Sequence, residues 1–198
     1  MFSAAQPMPP ERQARLFAAA AREFSLGFSR ASLNEILRNA GFSKSSFYHY
    51  FSDKEDLFEI VVQAAVTDLI STVAPAEISE LTSETYWPEV ARMLEVLAAN
   101  CGEESSAQWL AGFILMPDSA SAPVNRLRQE LHSWLTKLIT RGDQLGVTQS
   151  ETETAYRANI VQATVGATLN WIKTDPSTGV WSTVLTQIRA LNGADIAA

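Results

Sequence analysis

Residues 41–55 read GFSKSSFYHYFSDKE, an unusual order of side chains for either a core or a surface. Small hydroxyl residues and Lys44 run directly into five consecutive rings at residues 47–51, and Lys54 follows after a short polar gap. Two explanations are open. Either the rings form a buried cluster, or some of them pack inward while the others contact a long anionic partner.

The residues before this stretch have the pattern of two short helices. The first is predicted over 11–25, with an apolar face and Gly27 as its C-cap. For the second, Ser32 followed by Glu35 is a capping box that marks the start, and Gly41 marks the end. Its apolar residues recur at i, i+3, i+4 and i+7, namely Leu33, Ile36, Leu37 and Ala40.

Two further helices are predicted after the turn at Gly41. Ser43 caps a very short third helix that reaches about residue 50. Ser52 and Glu55 form a second capping box, which starts a long fourth helix that ends near residue 74. Two short helices joined by a tight glycine turn within a three-helix unit are the helix-turn-helix arrangement.

The rest of the chain also has the pattern of helices, and no segment alternates long enough to predict a strand. The sequence therefore predicts an all-α fold of about nine helices. The five helices predicted in the second part of the chain cover 88–100, with Pro88 as the first helical residue, 104–115, 123–145, 151–173 and 180–191.

Composition restricts the class of protein. Hydrophobic residues make up 46% of the 198 residues, enough for a real core, and no apolar run approaches the roughly 20 residues that cross a bilayer. The single cysteine, Cys101, excludes an internal disulfide and fits a cytoplasmic location. Residues 1–10 have no secretory pattern and are expected to form a flexible arm.

The charge distribution differs between the two ends of the chain. Residues 1–54 carry seven basic and four acidic side chains, a net charge of +3, so the remaining residues carry the balance of −10. A mildly basic head on an acidic body indicates that only the head meets an anion, although random scatter of charge would also fit.

The helix-turn-helix arrangement assigns roles within residues 43–54. The second helix of such a motif lies in the major groove of DNA with its first residues toward the bases. Ser43, Lys44, Ser45 and Ser46 occupy that first turn. Phe47 and Phe51, four residues apart, are expected to pack inward, so the rings between them face the sugar-phosphate wall. Lys54 lies in the first turn of the fourth helix, where a phosphate is favoured.

Residues 24–58, FSLGFSRASLNEILRNAGFSKSSFYHYFSDKEDLF, resemble the DNA-binding domain of the TetR family of bacterial transcriptional regulators. The resemblance is densest in AGFSK (40–44), FY (47–48), YF (50–51) and SDKE (52–55), and it extends over about 45 positions. It implies a helix-turn-helix DNA-binding domain at 11–54 and a ligand-sensing and dimerisation domain at 55–198.

The same resemblance implies which residues contact operator DNA. Those facing bases, phosphates or the sugar-phosphate backbone would be Ser32, Asn34, Ser43, Lys44, Ser45, Ser46, Tyr48, His49, Tyr50 and Lys54. The chain departs from the family pattern at two positions, since Ser45 stands where glycine is frequent and Ala31 replaces a frequent threonine. The first departure bears on which bases are read, and the second removes one phosphate contact.

The last two helices are expected to form a homodimer, as the resemblance implies through a four-helix bundle with a second subunit. The penultimate helix is apolar nearly all round, so it must be covered on every side, by a partner or by the chain itself. The candidate interface residues are Ala163, Gly166, Ala167, Trp181, Val184, Leu185 and Ile188. A dimer would read two half-sites of a near-palindrome.

A ligand pocket among helices four to eight is also implied by the resemblance. Its candidate lining residues are Val62, Val66, Leu94, Leu97, Trp109, Phe113, Met116, Leu131, Trp134 and Leu135, each of which could equally be plain core. Gln108, His132 and Asn170 are the polar candidates. This apolar, aromatic-rich set indicates a hydrophobic or aromatic effector.

Together these features predict a homodimeric, cytoplasmic regulator of the TetR type, with repression favoured and release by a small effector. The alternative is a ligand-independent DNA-binding or protein-interacting regulator whose body only dimerises. No metal or cofactor is expected. No nucleotide-binding or metal-ligand motif and no catalytic triad order appears, and His49 and His132 are the only histidines, so an enzyme is not expected.

Overall fold

The computed structural model describes residues 8–102, 105–114, 122–172 and 180–194, and these residues form nine α-helices, one 3₁₀ turn and no strand. The predicted all-α class is confirmed. The helices are α1 Pro10–Phe24, α2 Leu33–Ala40, α3 Lys44–Tyr50, α4 Lys54–Val73, α5 Tyr86–Ala99, α6 Ser106–Ile114, α7 Ala122–Gln144, α8 Thr154–Ile172 and α9 Val180–Leu191, with a 3₁₀ turn at Ile78–Glu80 between α4 and α5.

The predicted caps of α2 and α3 are confirmed. The Ser32 hydroxyl accepts a hydrogen bond from the backbone N–H of Glu35 at 3.4 Å, and the Ser43 hydroxyl accepts one from Ser46 at 3.1 Å. In a capping box the Glu35 side chain would in turn accept a hydrogen bond from the Ser32 N–H. Here the Ser32 N–H donates instead to the Glu23 carboxylate of α1, at 2.9 Å. A residue from the preceding helix therefore fixes where α2 begins.

Two predicted helix boundaries were wrong, the C-cap of α1 and the N-cap of α4. Helix α1 ends at Phe24 with Ser25 as C-cap, and Gly27 lies beyond it in the loop with a φ of 108°. The cap of α4 is Asp53, whose carboxylate accepts from the N–H of Asp56 at 2.8 Å, while the Asp56 carboxylate accepts from the N–H of Ser52 at 2.8 Å. The capping box is displaced by one residue because a carboxylate is a stronger acceptor than a hydroxyl.

The body helices begin later or earlier than predicted where the local signals were weak. Helix α5 begins at Tyr86, two residues before Pro88, and Pro88 lies in its first turn, where no intrahelical N–H bond is needed. Helix α8 begins at Thr154 rather than at residue 151. Helix α9 has the predicted bounds.

One hydrophobic cluster joins the head to the body. Phe24, Phe47 and Phe58 are fully buried in it, and α6 contributes Phe113, whose ring centroid lies 5.4 Å from that of Phe58. The cluster also includes Val124 and Leu127 of α7. The first part of α4 is therefore packed against helices of both regions.

A second cluster lies in the body, among α5, α7, α8 and α9. Beside it, Arg157 is 2% exposed and donates to the Asp143 carboxylate at 2.6 Å and to the Asn192 side-chain oxygen at 3.1 Å. Asp143 also accepts hydrogen bonds from Thr148 and Thr154. This polar cluster connects the end of α7, the start of α8 and the residue that follows α9.

The apolar run at Lys54–Glu80 corrects the expectation that no segment is long enough to cross a bilayer. By length and composition it could do so. In the fold, one face of α4 is buried against protein through Leu57, Phe58, Val61, Val62, Ala65 and Val73. The run is apolar because α4 contributes to both hydrophobic clusters.

Candidate nucleic-acid interface and internal cavity

The turn between α2 and α3 presents the predicted recognition residues at the surface. Gly41 adopts the left-handed conformation with a φ of 67°, which reverses the chain directly after α2. Ser43, Lys44 and Ser45 are exposed, and Ser46 is half-buried. The Ser43 hydroxyl donates to that of Ser46 at 2.9 Å, so the first turn of α3 is held together before any partner binds.

The two explanations for the aromatic run each apply to part of it. Phe47 and Phe51 are 0% and 6% exposed, and their rings stack with centroids 5.3 Å apart. Tyr48, between them, is 60% exposed, and His49 is exposed as well. Tyr50 is half-buried and packs against the same cluster. The run is therefore core on one side of α3 and surface on the other.

Lys54 has a structural role that the sequence did not reveal. Its ammonium group donates to the backbone carbonyls of Phe28 at 2.8 Å and Ala31 at 2.9 Å, and it lies 4.4 Å from the centroid of the Phe28 ring. An ammonium has three donors, so one remains for an external anion. Lys54 thus ties the start of α4 to the loop between α1 and α2.

The remaining candidates for DNA contact belong to α2. Ser32 is half-buried and acts as the N-cap, and Asn34 is exposed in the first turn. A further basic side chain lies close to the motif, because the Arg12 guanidinium is 4.6 Å from the centroid of the Phe42 ring. No local pattern in the sequence indicates this contact, since thirty residues separate the two positions.

A cavity of about 570 Å³, which is partly open to solvent beside the exposed Ile70 and Glu130, lies between α4, α5, α6, α7, α8 and α9. Its wall is almost wholly apolar. The lining residues are Val66, Leu69, Ile70, Val73, Pro75, Tyr86, Trp87, Val90, Met93, Leu94, Leu97, Ala107, Leu110, Ala111, Leu127, Glu130, Leu131, Trp134, Leu135, Leu138, Ile139, Val161, Gln162, Val165, Gly166, Leu169, Ile188 and Asn192.

The predicted pocket residues fall into three groups. Six of them line this cavity, namely Val66, Leu94, Leu97, Leu131, Trp134 and Leu135. Val62, Trp109 and Phe113 do not line it and pack instead in the cluster that joins head and body. Met116 lies outside the described residues. Many wall residues were missed because apolar periodicity cannot separate a cavity wall from a filled core.

None of the three polar candidates lines the cavity. Gln108 is buried behind the wall, where its amide nitrogen donates to the carbonyl of Leu169 and lies 2.9 Å from the Cys101 sulfur. His132 is half-buried, and Asn170 is exposed on α8. Within the described residues, no three His, Cys, Asp or Glu side chains are grouped so that they could hold a metal ion.

The seven candidate dimerisation residues occupy two different environments. Ala163 and Ala167 are exposed on α8, where Tyr156 and Trp171 are also exposed, by 55% and 42%. Gly166, Val184 and Ile188 are buried within the chain itself, and Trp181 and Leu185 are half-buried against the second cluster. The stripe on α9 therefore faces the chain's own core, whereas α8 leaves one face uncovered.

Comparisons with known proteins agree with this geometry. The family model described as "Bacterial regulatory proteins, tetR family" matches residues 16–61, which span α1 to the first part of α4. A relative from Bacillus subtilis (strain 168), the uncharacterized HTH-type transcriptional regulator YdgC, is 31% identical over 147 residues, or 71% of this chain and 70% of the relative. The chain belongs to the TetR family. It is thus a DNA-binding transcriptional regulator with a helix-turn-helix motif.

Solved structures of TetR-type proteins show the same fold. A TetR-like transcriptional regulator from Rhodococcus sp. RHA1 superposes with a TM-score of 0.69 at 19% identity, covering 94% of this chain and 97% of that one. The regulator FadR from Bacillus subtilis, in complex with stearoyl-CoA, superposes with a TM-score of 0.65 at 17% identity, covering 92% and 98%. At these identities the likeness concerns the fold alone.

Proposed function

We propose that this TetR-family chain is a homodimeric repressor that binds a near-palindromic operator and is released by a small hydrophobic or aromatic molecule. The proposed units are a flexible arm at 1–10, a DNA-binding domain at 11–54 and a sensor and dimerisation domain at 55–198. In this proposal the protein is cytoplasmic, does not bind a membrane, uses no cofactor and catalyses no reaction.

The observation that carries the effector role is the position of α4. Four of its residues, Val66, Leu69, Ile70 and Val73, belong to the cavity wall, while Lys54 at its start is bonded to the α1–α2 loop. A ligand that enters the cavity and displaces α4 would therefore move the head. Operator affinity would fall by at most the factor by which the ligand binds the state with α4 displaced more tightly than the DNA-binding state.

The proposed DNA interface is centred on the exposed first turn of α3. Ser43, Lys44, Ser45 and Ser46 would face bases or nearby phosphates. The sugar-phosphate backbone would be held by residues around them, namely Ser32, Tyr48, His49, Tyr50 and the third donor of Lys54, with Asn34 close to a base.

Dimerisation is supported by the uncovered face of α8. Tyr156, Ala163, Ala167 and Trp171 recur at helical spacing along it, and two of these four are large exposed aromatic residues. An apolar stripe with small residues at its centre permits close packing of a second, symmetry-related helix. Two recognition helices would then be tethered, which raises operator affinity beyond that of one.

The proposed contact between Lys54 and a DNA phosphate can be tested by comparing substitutions at Lys54 and Lys44. We expect Lys54→Met to lower the slope of log operator affinity against log salt by about two for the homodimer, because each of its two subunits loses one phosphate contact. It should also lower the free energy of unfolding by about 1–3 kcal/mol, because two partly buried carbonyls lose their charged donor. Titrations of labelled operator at several salt concentrations, and urea unfolding, measure the two effects.

Lys44→Met is the matched control for that experiment. Lys44 is exposed, and among the described residues its side chain has no hydrogen bond or ion pair, so this variant should keep the parent's stability and change the preference between operator sequences. An unchanged salt slope for Lys54→Met, together with a loss of stability, would make Lys54 a loop anchor and not a DNA contact.

A substitution that adds a charge to the exposed face of α8 tests whether the protein forms the proposed dimer. Ala167→Arg should convert the protein to monomers at micromolar concentration, because two copies of the new charge would be buried against each other across the dyad. Sedimentation velocity measures the change. Gln63→Arg on the exposed face of α4, away from the last two helices, is a control for added charge, and a parent that is already monomeric would contradict the proposal.

The ligand-independent alternative makes a different prediction for thermal stability. An effector that binds the folded chain raises its melting temperature with concentration, and a body that only dimerises shows no such response. The cavity favours the effector-responsive regulator, since a domain that only dimerises has no need of an unfilled space between six helices.

A further inference from the structure

The charge of the cavity wall is the feature that bears on which molecules can enter. Of the 28 residues in the described part of the chain that line it, Glu130 is the single charged one, and no lysine, arginine or histidine is among them. Glu130 itself is exposed to solvent on α7. The wall that these described residues form therefore provides no cation that could neutralise a ligand's negative charge.

Several polar groups of the wall are already committed to the protein. The Asn192 amide nitrogen donates to the Ile188 carbonyl at 2.8 Å, and its oxygen accepts from Arg157 at 3.1 Å. The Trp87 indole N–H donates to the Val147 carbonyl at 3.1 Å. Burial, followed by the nearby charge of Asp143, raises the pKa of the Tyr86 hydroxyl, so this group stays neutral.

Arginines near the cavity are likewise occupied. Arg157 is bonded to Asp143 at 2.6 Å, and Arg92 is bonded to Glu89 at 2.7 Å and to the carbonyl of Val73 at 3.0 Å. The Arg189 guanidinium lies 5.3 Å from the centroid of the Trp87 ring and is not part of the wall. An anion in the cavity that recruited Arg157 or Arg92 would compete with the carboxylates that these arginines already bind.

Since the proposed function leaves the effector's charge open, we infer, on the basis of that function, that the cavity selects uncharged, mainly apolar molecules and rejects anions of the same shape. An ionised carboxylate or sulfonate would lose its hydration without gaining a cationic partner. It would also be repelled by the carboxylate of Glu130. A neutral molecule of the same skeleton has neither disadvantage and gains the apolar contact of the wall.

A matched pair of fluorescent dyes tests this selection. N-phenylnaphthylamine is neutral, and anilinonaphthalene sulfonate has the same ring skeleton with one added negative charge. Titrating the full chain with each dye should give a dissociation constant on the order of 100-fold lower for the neutral dye, from the cost of a buried charge without a partner.

Two variants locate the effect. Leu131→Trp places a larger side chain on the half-buried wall of α7 and should abolish the binding of the neutral dye while the melting temperature remains near that of the parent. Glu130→Gln should tighten binding of the sulfonated dye several-fold at low salt and leave the neutral dye unchanged, because only the anion is repelled by the carboxylate. Only fluorescence that Leu131→Trp removes is assigned to the cavity.

The outcomes separate this inference from the proposed function. Equal affinity of the two dyes at the cavity would overturn the charge selection and leave an effector site in place. If neither dye binds there, both the selection and the effector site are wrong. A neutral dye that binds as expected but leaves operator affinity unchanged would support the selection and contradict release by an effector.

Discussion

Replacing Arg157 by methionine should lower the free energy of unfolding by about 3 kcal/mol and the melting temperature by roughly 10 °C. The guanidinium is buried, and its donors reach Asp143, Thr154 and Asn192. These three residues lie on different segments, at the end of α7, the start of α8 and just beyond α9. Methionine keeps most of the side-chain volume but leaves the Asp143 carboxylate without its cation.

Arg126→Met is the matched control for this experiment. Arg126 pairs with Glu59 at the surface, and both side chains are more than half exposed. Exposed ion pairs contribute little, so this variant should change stability by less than about 1 kcal/mol. Urea unfolding of parent and both variants under the same conditions measures the difference. Equal, small effects of the two substitutions would show that the Arg157 cluster does not hold the three segments together.

The same cluster predicts how stability responds to acid. Burial alone would raise the pKa of Asp143, but the hydrogen bonds from Arg157 and Thr148, together with the charge of Arg157, outweigh it, so the net shift is downward. A carboxyl whose pKa is lower in the folded state stabilises the fold above its unfolded pKa of about 3.9. That contribution disappears as the pH falls through the lower folded value. Urea unfolding of the parent at a series of pH values should therefore show this stabilisation being lost as the pH falls below about 4.

Replacing Phe47 by alanine should cost about 3–5 kcal/mol and abolish operator binding. The ring is fully buried, stacks on Phe51, and fills the cluster shared by the head and α4. Its loss would leave a cavity directly beneath α3, so the recognition helix would lose the surface that orients it. Thermal unfolding and operator titration below the lowered melting temperature measure the two effects.

Tyr48→Ala is the control from the neighbouring position. Tyr48 is also aromatic and also in α3, but it is mostly exposed, so its removal should change the melting temperature little. We expect Tyr48→Ala to weaken operator binding, because the proposed contact with the sugar-phosphate backbone of the DNA is lost. Should Tyr48→Ala destabilise the protein as much as Phe47→Ala, the division of the aromatic run into core and surface would be wrong.

The head of this protein could be predicted from sequence in considerable detail. Ser32 and Ser43 cap the helices that they were expected to cap, and Gly41 takes the left-handed conformation that ends α2. These signals are local, since a cap bonds a backbone N–H three residues away. The errors are also local in origin. At α4 two acceptors, Ser52 and Asp53, compete within one residue of each other, and the carboxylate prevails.

The cavity was predicted only in part for a different reason. Leu94 and Leu97 line it, and Phe113 and Val62 do not, although all four are apolar residues on predicted helices. Whether an apolar side chain meets another side chain or an empty space depends on how helices distant in the chain are packed. Helical periodicity defines which face is buried and contains no information about what that face contacts.

By itself the sequence determined which segments are helical, their order and the helix-turn-helix motif, because backbone capping, helical periodicity and glycine conformation act over only a few residues. The tertiary structure alone decided the partners of Lys54 and Arg157, which bond to groups 14 to 35 residues away. It also decided which apolar residues surround the cavity. Such pairings depend on the packing of whole helices, since a lysine or a leucine has the same chemistry whichever distant segment it meets.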